Sequence, residues 1–189
     1  MLYEIKIQLR YINPPIYRVL RIPSRSSLLK LHKFIQRAMG WKNYHLHLFE
    51  VEWKRYGENP ERWDSEVNDS RKMTLDKIFS SGTESFIYDY DMGDGWRHDI
   101  ELLGTVEAEC DEEPACIAGA RACPPEDCGG PPGYEHLLKA LADPKYEDHN
   151  ELLEWVGQRY DPEKFDLVAV GRALKRVREE TIITDRCPE

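Results

Sequence analysis

The chain has 189 residues, 41% of them apolar and 32% charged, with a formal net charge of −9. That is long enough to bury a core without disulfide or metal staples, and the composition is that of a globular protein rather than a disordered or fibrous one. No apolar run approaches the roughly 20 residues that span a bilayer. The first ten residues alternate polar and apolar, unlike a signal peptide, so a cytoplasmic protein without a membrane partner is expected. The five cysteines are odd in number: Cys110, Cys116, Cys123 and Cys128 cluster, and Cys187 stands apart. With no secretory signal, that pattern does not suggest a disulfide framework.

In chain order, residues 2–10 predict a strand, Asn13-Pro14-Pro15 a turn, and Ile16 to Ile22 a second strand closing a hairpin. A helix follows, capped by Ser24, Ser26 or Ser27. Leu28, Leu31, Ile35, Ala38 and Met39 form its buried stripe, and Gly40 sits at its C′ position. Tyr44 to Trp53 reads as a strand, residues 56–72 as a loop, and Leu75, Ile78 and Phe79 as a short helical turn. A hairpin of alternating aromatics and acids runs from Phe86 to Leu103, with its second strand continuing to Val106. Glu107 to Gly133 is acidic and rich in Cys, Pro and Gly, and predicts an irregular loop. Helices then follow on the stripes Tyr134/Leu137/Leu138/Leu141 and Leu152/Leu153/Val156. A last helix is expected to start at Asp161-Pro162-Glu163, and the tail after Thr181 to be loose.

The expected fold class is α+β: a β-grasp-like mixed sheet (hairpin, helix, strand, hairpin) followed by a helical C-terminal part. The segments are residues 1–107, a Cys/Pro/Gly-rich loop 108–133, and a helical part 134–180 packed on the core as one domain.

The Phe86–Leu103 hairpin carries the first candidate site. Asp94-Gly95 is a two-residue turn signal and would set Asp91 opposite His98. A turn at Gly93-Asp94 would set Asp89 there instead. Either register places an aspartate beside His98, which makes Asp89, Asp91 and His98 candidates for acid–base or metal chemistry. A structural pair is the more common outcome of such a juxtaposition. Tyr88, Tyr90, Trp96 and Arg97 are candidate ligand contacts, although aromatics on a half-buried sheet more often belong to the core.

Other residue types suggest other chemistries. His45 and His47 flank Leu46 on one strand face and could chelate a metal. Cys116, Cys123 and Cys128 could hold zinc, but their spacings lack the short knuckle of zinc sites. Free buried thiols are therefore favoured over a zinc cofactor. Glu126 and Asp127 precede a helix and could cap it or hold a basic side chain. Charge is uneven: residues 1–55 carry eleven Lys/Arg against three Asp/Glu, a balance of +8 that leaves −17 for the rest. Arg18, Arg21, Lys30, Lys33 and Arg37 are accordingly the nucleic-acid candidates. The overall acidity argues against that partner, and basic and acidic parts facing each other, within the chain or across a homodimer, is the plainer expectation.

Several pieces together resemble a known family. They are Pro14-Pro15-Ile16-Tyr17-Arg18, Leu31-His32 through Gly40-Trp41, His45-Leu46-His47 with Phe49, and Tyr88 to His98. Cys123-Pro-Pro-Glu-Asp-Cys-Gly-Gly130 with Gly133-Tyr134, and Phe165-Asp166, complete the set. The chain is similar to the plasmid pRiA4b ORF-3-like family, also described as a transposon passenger family. It departs from it at Tyr17, where members often have tryptophan. The resemblance implies a place on plasmids, mobile elements or chromosomes, but no reaction. Some similar chains are called resolvase-like. No serine here sits among arginines, and the chain ends acidic rather than basic, so that label is not adopted. The residues favour a non-enzymatic interaction or accessory module with an unknown protein partner. The alternatives are an Asp/His enzyme and a nucleic-acid accessory protein.

Overall fold

The computed structural model describes residues 1–58, 66–107 and 113–179, with residues 178 and 179 as backbone only. Cys110, Cys187 and the tail after Thr181 lie outside the described residues.

The first strand, β1 (Leu2–Leu9), pairs antiparallel with β2 (Tyr17–Pro23), as the alternation around Asn13-Pro14-Pro15 predicts. Helix α1 (Leu28–Met39) starts where Ser27 accepts a hydrogen bond from the Lys30 N–H, satisfying one orphan donor of the first turn. It ends at Gly40, whose φ of 87° is the left-handed conformation that glycine adopts without a Cβ penalty. β3 is His47–Val51, shorter than expected, because the chain turns at Glu52-Trp53 and returns as β4 (Lys54–Gly57). β5 (Val67–Asp69) pairs parallel with β4. β5 and the end of β4 fall in the segment expected to be a loop, residues 56–72; both strands are short and mostly polar, so no apolar period marks them.

Helix α2 (Leu75–Ser80) is capped by Thr74 and leads to β6 (Ser85–Tyr90), β7 (Trp96–Val106) and β8 (Ala115–Ala120). β8 corrects the expectation of an irregular loop: its small residues pair with β2 at the sheet edge. Helices α3 (Gly130–Ala142), α4 (His149–Val156) and α5 (Leu167–Glu179) follow. α5 begins later than expected. Asp161 Oδ1 accepts from the Glu163 N–H and makes a turn, while Asp166 Oδ1 accepts from the Ala169 N–H and supports the helix start.

Among the described residues, eight strands form one sheet in the order β5-β4-β3-β6-β7-β1-β2-β8. The protein is thus α+β with a mixed sheet, but this order does not establish the β-grasp arrangement. The central β1–β7 pair is antiparallel, and the parallel pair is β4–β5 at an edge. One face carries Ile5, Ile7, Leu9, Leu20, Phe49, Tyr88, Tyr90, Trp96 and Ile100, which join Leu28, Leu31, Phe34 and Ile35 of α1 in a single core. The other face is polar and laced with ion pairs: Arg21–Glu4 and Arg10–Asp99, each 2.6 Å, and Arg97–Glu50, 3.1 Å.

Candidate functional site

The hairpin register differs from both expected forms. Tyr88 pairs with His98, Asp89 with Arg97 and Tyr90 with Trp96, leaving a five-residue loop at residues 91–95. The reason is Asp91. It takes a left-handed φ of 57°, and its Oδ1 accepts from the Gly93 N–H at 2.9 Å and the Asp94 N–H at 3.3 Å. The Gly95 N–H then donates to the Asp91 carbonyl. An aspartate that bonds its own loop backbone outcompetes the shorter turn.

This register separates the expected catalytic set. Asp89 lies beside Arg97, 3.7 Å away, on the ion-paired face; partial burial raises its pKa. His98 is fully buried, with Nδ1 against the Tyr88 carbonyl at 3.2 Å and its ring edge-on to Trp41. Asp91 stands in the loop. The Asp–His pair expected on the hairpin is therefore absent: His98 belongs to the core.

Tyr88, Tyr90 and Trp96 are buried too, and the two tyrosines organise the interior. The Tyr88 hydroxyl donates to His32 Nδ1 at 2.7 Å and accepts from Gln36 Nε2 at 3.1 Å. His32 Nε2 donates to Asn43 Oδ1 at 2.8 Å, and the Asn43 N–H donates to Gln36 Oε1 at 3.0 Å. The cycle closes through Tyr88, His32, Asn43 and Gln36, and with His32 neutral this arrangement calls for the Nε2–H tautomer. His47 stacks on His32 with ring centroids 3.6 Å apart. It is buried rather than exposed on its strand, packed on His32 and not part of the group of metal-capable side chains around His45. Burial holds the pKa of His32 and His98 down to about 4 and that of His47 lower still. Tyr88→Phe strands the His32 and Gln36 groups and is expected to cost about 1–3 kcal/mol in urea unfolding, without change of fold. A cost near zero would mean the cycle is not satisfied through Tyr88.

The Pro-Pro-Glu-Asp loop lies over this core. The Trp41 Nε1–H donates to the Pro124 carbonyl. Tyr90 donates to Glu126 Oε1 at 2.6 Å, and Glu126 Oε2 accepts from the Lys42 N–H. The Gly129 N–H donates to Asp94 Oδ2. Gly130 sits so close to the Asp94 carbonyl that a Cβ would collide with it. Glu126 and Asp127 therefore pin the loop to the hairpin tip and to the residues after α1, and do not cap α3. The loop in turn carries Asp127, at φ 62°, to His45: its Oδ1 is 2.9 Å from His45 Nε2, and Asp91 Oδ2 is 3.6 Å from the same nitrogen. Among the described residues, His45, Asp91 and Asp127 are the group of three metal-capable side chains with ligand atoms within 4.8 Å of one another. Tyr44, Leu46 and Met92 border them, each at least half exposed.

Cys116, Cys123 and Cys128 form no such group among the described residues. Their thiol pKa values are raised by burial, that of Cys128 to about 12. The nucleic-acid candidates also part company. Arg18 is 3% exposed and gives its guanidinium to four backbone carbonyls, of Tyr17, Ala38, Ala120 and Arg121. It is not available to a phosphate. Arg21 pairs with Glu4, and Lys30 is half-buried. Lys33 and Arg37 line a cleft of ≈ 130 Å³ with Trp41, Lys42 and Asn43. Sequence reasoning missed Trp41, Lys42 and Asn43 as site-forming residues. Their signal was their place directly after the helix-ending Gly40.

Residues 1–169 match the family described as Plasmid pRiA4b ORF-3-like protein. The chain is 37% identical over 173 residues to the uncharacterized protein y4hQ of Sinorhizobium fredii (strain NBRC 101917 / NGR234), covering 90% of this chain and 89% of that one. Its backbone is similar to the crystal structure of MM3350, a protein of unknown function from Methanosarcina mazei Go1. The TM-score is 0.82 at 34% identity, over 88% of this chain and 96% of that chain.

Proposed function

We propose a function for a chain that belongs to the plasmid pRiA4b ORF-3-like family: it is a binding module that engages a protein partner, not an acid–base enzyme. The observation that carries this reading is the cluster of Tyr44, Leu46 and Met92, 67%, 51% and 51% exposed. The Asp91 N–H donates to the Leu46 carbonyl and ties the two segments that bear Leu46 and Met92 together. Large apolar side chains grouped on a surface favour protein contact, and aromatic and Met side chains are those enriched at interface centres. They stand where four of the family-like segments meet, so those segments serve to build this end of the sheet. Burial of His98 and the separation of Asp89 from it count against the acid–base alternative. The binding of Arg18 and Arg21 within the fold counts against the nucleic-acid alternative. The family description names a plasmid protein, and a plasmid-linked accessory role is the setting in which such a module would act.

The test is a photoreactive residue at position 46, compared with one at the exposed Val168, in cells that express the protein. A discrete adduct with another protein, formed from position 46 and not from 168, is the expected result. An adduct only with a second copy, or equal labelling from both positions, would contradict it.

A further inference from the structure

We propose that His45, Asp91 and Asp127 bind one first-row divalent metal ion, with imidazole Nε2 and one oxygen from each carboxylate as ligands. Zinc and manganese are the type cases.

The three ligands come from three distant segments and reach one point by separate devices. Asp91 has its Oδ1 occupied by two loop N–H groups, which leaves Oδ2 turned toward His45. The Asp91 side chain is 9% exposed, and the imidazole nitrogen 3.6 Å from its Oδ2 lies beyond hydrogen-bond reach. His45 is anchored by its backbone N–H to the Tyr90 hydroxyl, and its ring lies edge-on to Tyr90. Its Nε2 is buried and makes no hydrogen bond, although Asp127 Oδ1 is 2.9 Å away, because that oxygen lies off the N–H direction. Asp127 is placed by its neighbour Glu126, both of whose oxygens are engaged with Tyr90 and Lys42.

Two carboxylates and an imidazole nitrogen thus converge without a proton shared along a hydrogen bond. Donor atoms bound to a common ion at about 2.0–2.2 Å stand roughly 3 to 3.5 Å apart, and the two His45 contacts, 2.9 and 3.6 Å, lie just either side of that range. A divalent ion would cancel both carboxylate charges, which otherwise repel. The imidazole selects transition ions over calcium or magnesium. Three protein ligands leave at least one coordination position open. Asp127 is 63% exposed, so that position faces the same surface as Tyr44, Leu46 and Met92. An oxygen or nitrogen donor from outside the chain can take it. The site goes beyond the partner reading and stands apart from it, because it is read on the isolated chain.

The experiment uses tag-free full chain, stripped with EDTA and titrated calorimetrically with Zn²⁺ and with Mn²⁺. One equivalent of at least one of these ions is expected to bind. Asp127→Asn and His45→Ala should each weaken it at least tenfold, while His136→Ala, at the separate His136–Asp148 pair, leaves affinity unchanged. Asp91→Asn keeps the loop-capping Oδ1 and provides a third ligand variant should either of the others melt below wild type. No stoichiometric binding of either ion, or equal affinity in the folded ligand variants, would overturn the proposal. Loss of partner crosslinking with metal binding intact would overturn the partner reading alone.

Discussion

Arg18→Met is expected to lower the unfolding free energy by about 3–5 kcal/mol in urea at neutral pH, the range for removing one member of a buried charged network. The guanidinium threads between α1 and β8. Nε donates to the Ala38 carbonyl at the end of the helix, and the two terminal nitrogens donate to Tyr17, Ala120 and Arg121. Phe165, ahead of α5, lies over the guanidinium with its ring centroid 4.6 Å away. Burial lowers the Arg18 pKa, but no ordinary pH removes the charge. Methionine keeps the volume and leaves several carbonyls without their donor, each costing on the order of 1–3 kcal/mol. Lysine restores the charge but not the fork, and should recover only part of the loss. A change below about 1 kcal/mol would mean that water replaces the arginine, and that its carbonyl cradle is not a structural joint.

Acid is expected to unfold the protein between about pH 6.5 and pH 4, through its buried histidines. Their ordinary pKa is 6.5, and burial lowers that of His32 and His98 to about 4. A depressed histidine pKa means the unfolded chain takes up protons first. The stability these two contribute is therefore full above pH 6.5, falls as pH drops below it, and stops falling near pH 4. Each of the two histidines then accounts for roughly 3 kcal/mol. His47, lowered further by burial and by the adjacent His32, continues to weaken the fold below that range. Several kcal/mol compares with the whole stability of an ordinary domain. His98→Gln should flatten the fall in this window, read by chemical unfolding at pH 7.5, 6, 5 and 4.5. An unchanged slope would place His98 in contact with solvent.

The sequence made much of this fold legible because its signals were local. Ser27 and Gly40 bound α1, and alternation located β1, β2 and the Phe86–Val106 hairpin. The register was hidden, since one left-handed residue, Asp91, lengthened the loop beyond what the Asp94-Gly95 pair implies. That shift moved His98 from Asp91 to Tyr88, and with it the meaning of the aspartates. β8 escaped notice because ACIAGA buries only Cys116 and has no apolar period. The His45–Asp91–Asp127 group was legible only as separate residues. Two of its members depend on left-handed backbone, and its assembly depends on Glu126 reaching Tyr90 across the fold.

The central claim is a division of labour among the histidines: His32, His47 and His98 are neutral core groups, and His45 is the one at the working surface. Imidazole ¹H–¹⁵N correlation spectra, recorded from pH 7.5 to 5.5 and then with one equivalent of Zn²⁺ at pH 7.5, test it directly. His32, His47 and His98 are expected to keep single neutral tautomers throughout, and zinc to shift the His45 Nε2 resonance among these four. A His98 ring that titrates near its ordinary pKa, or a His45 ring unmoved by zinc, would contradict it.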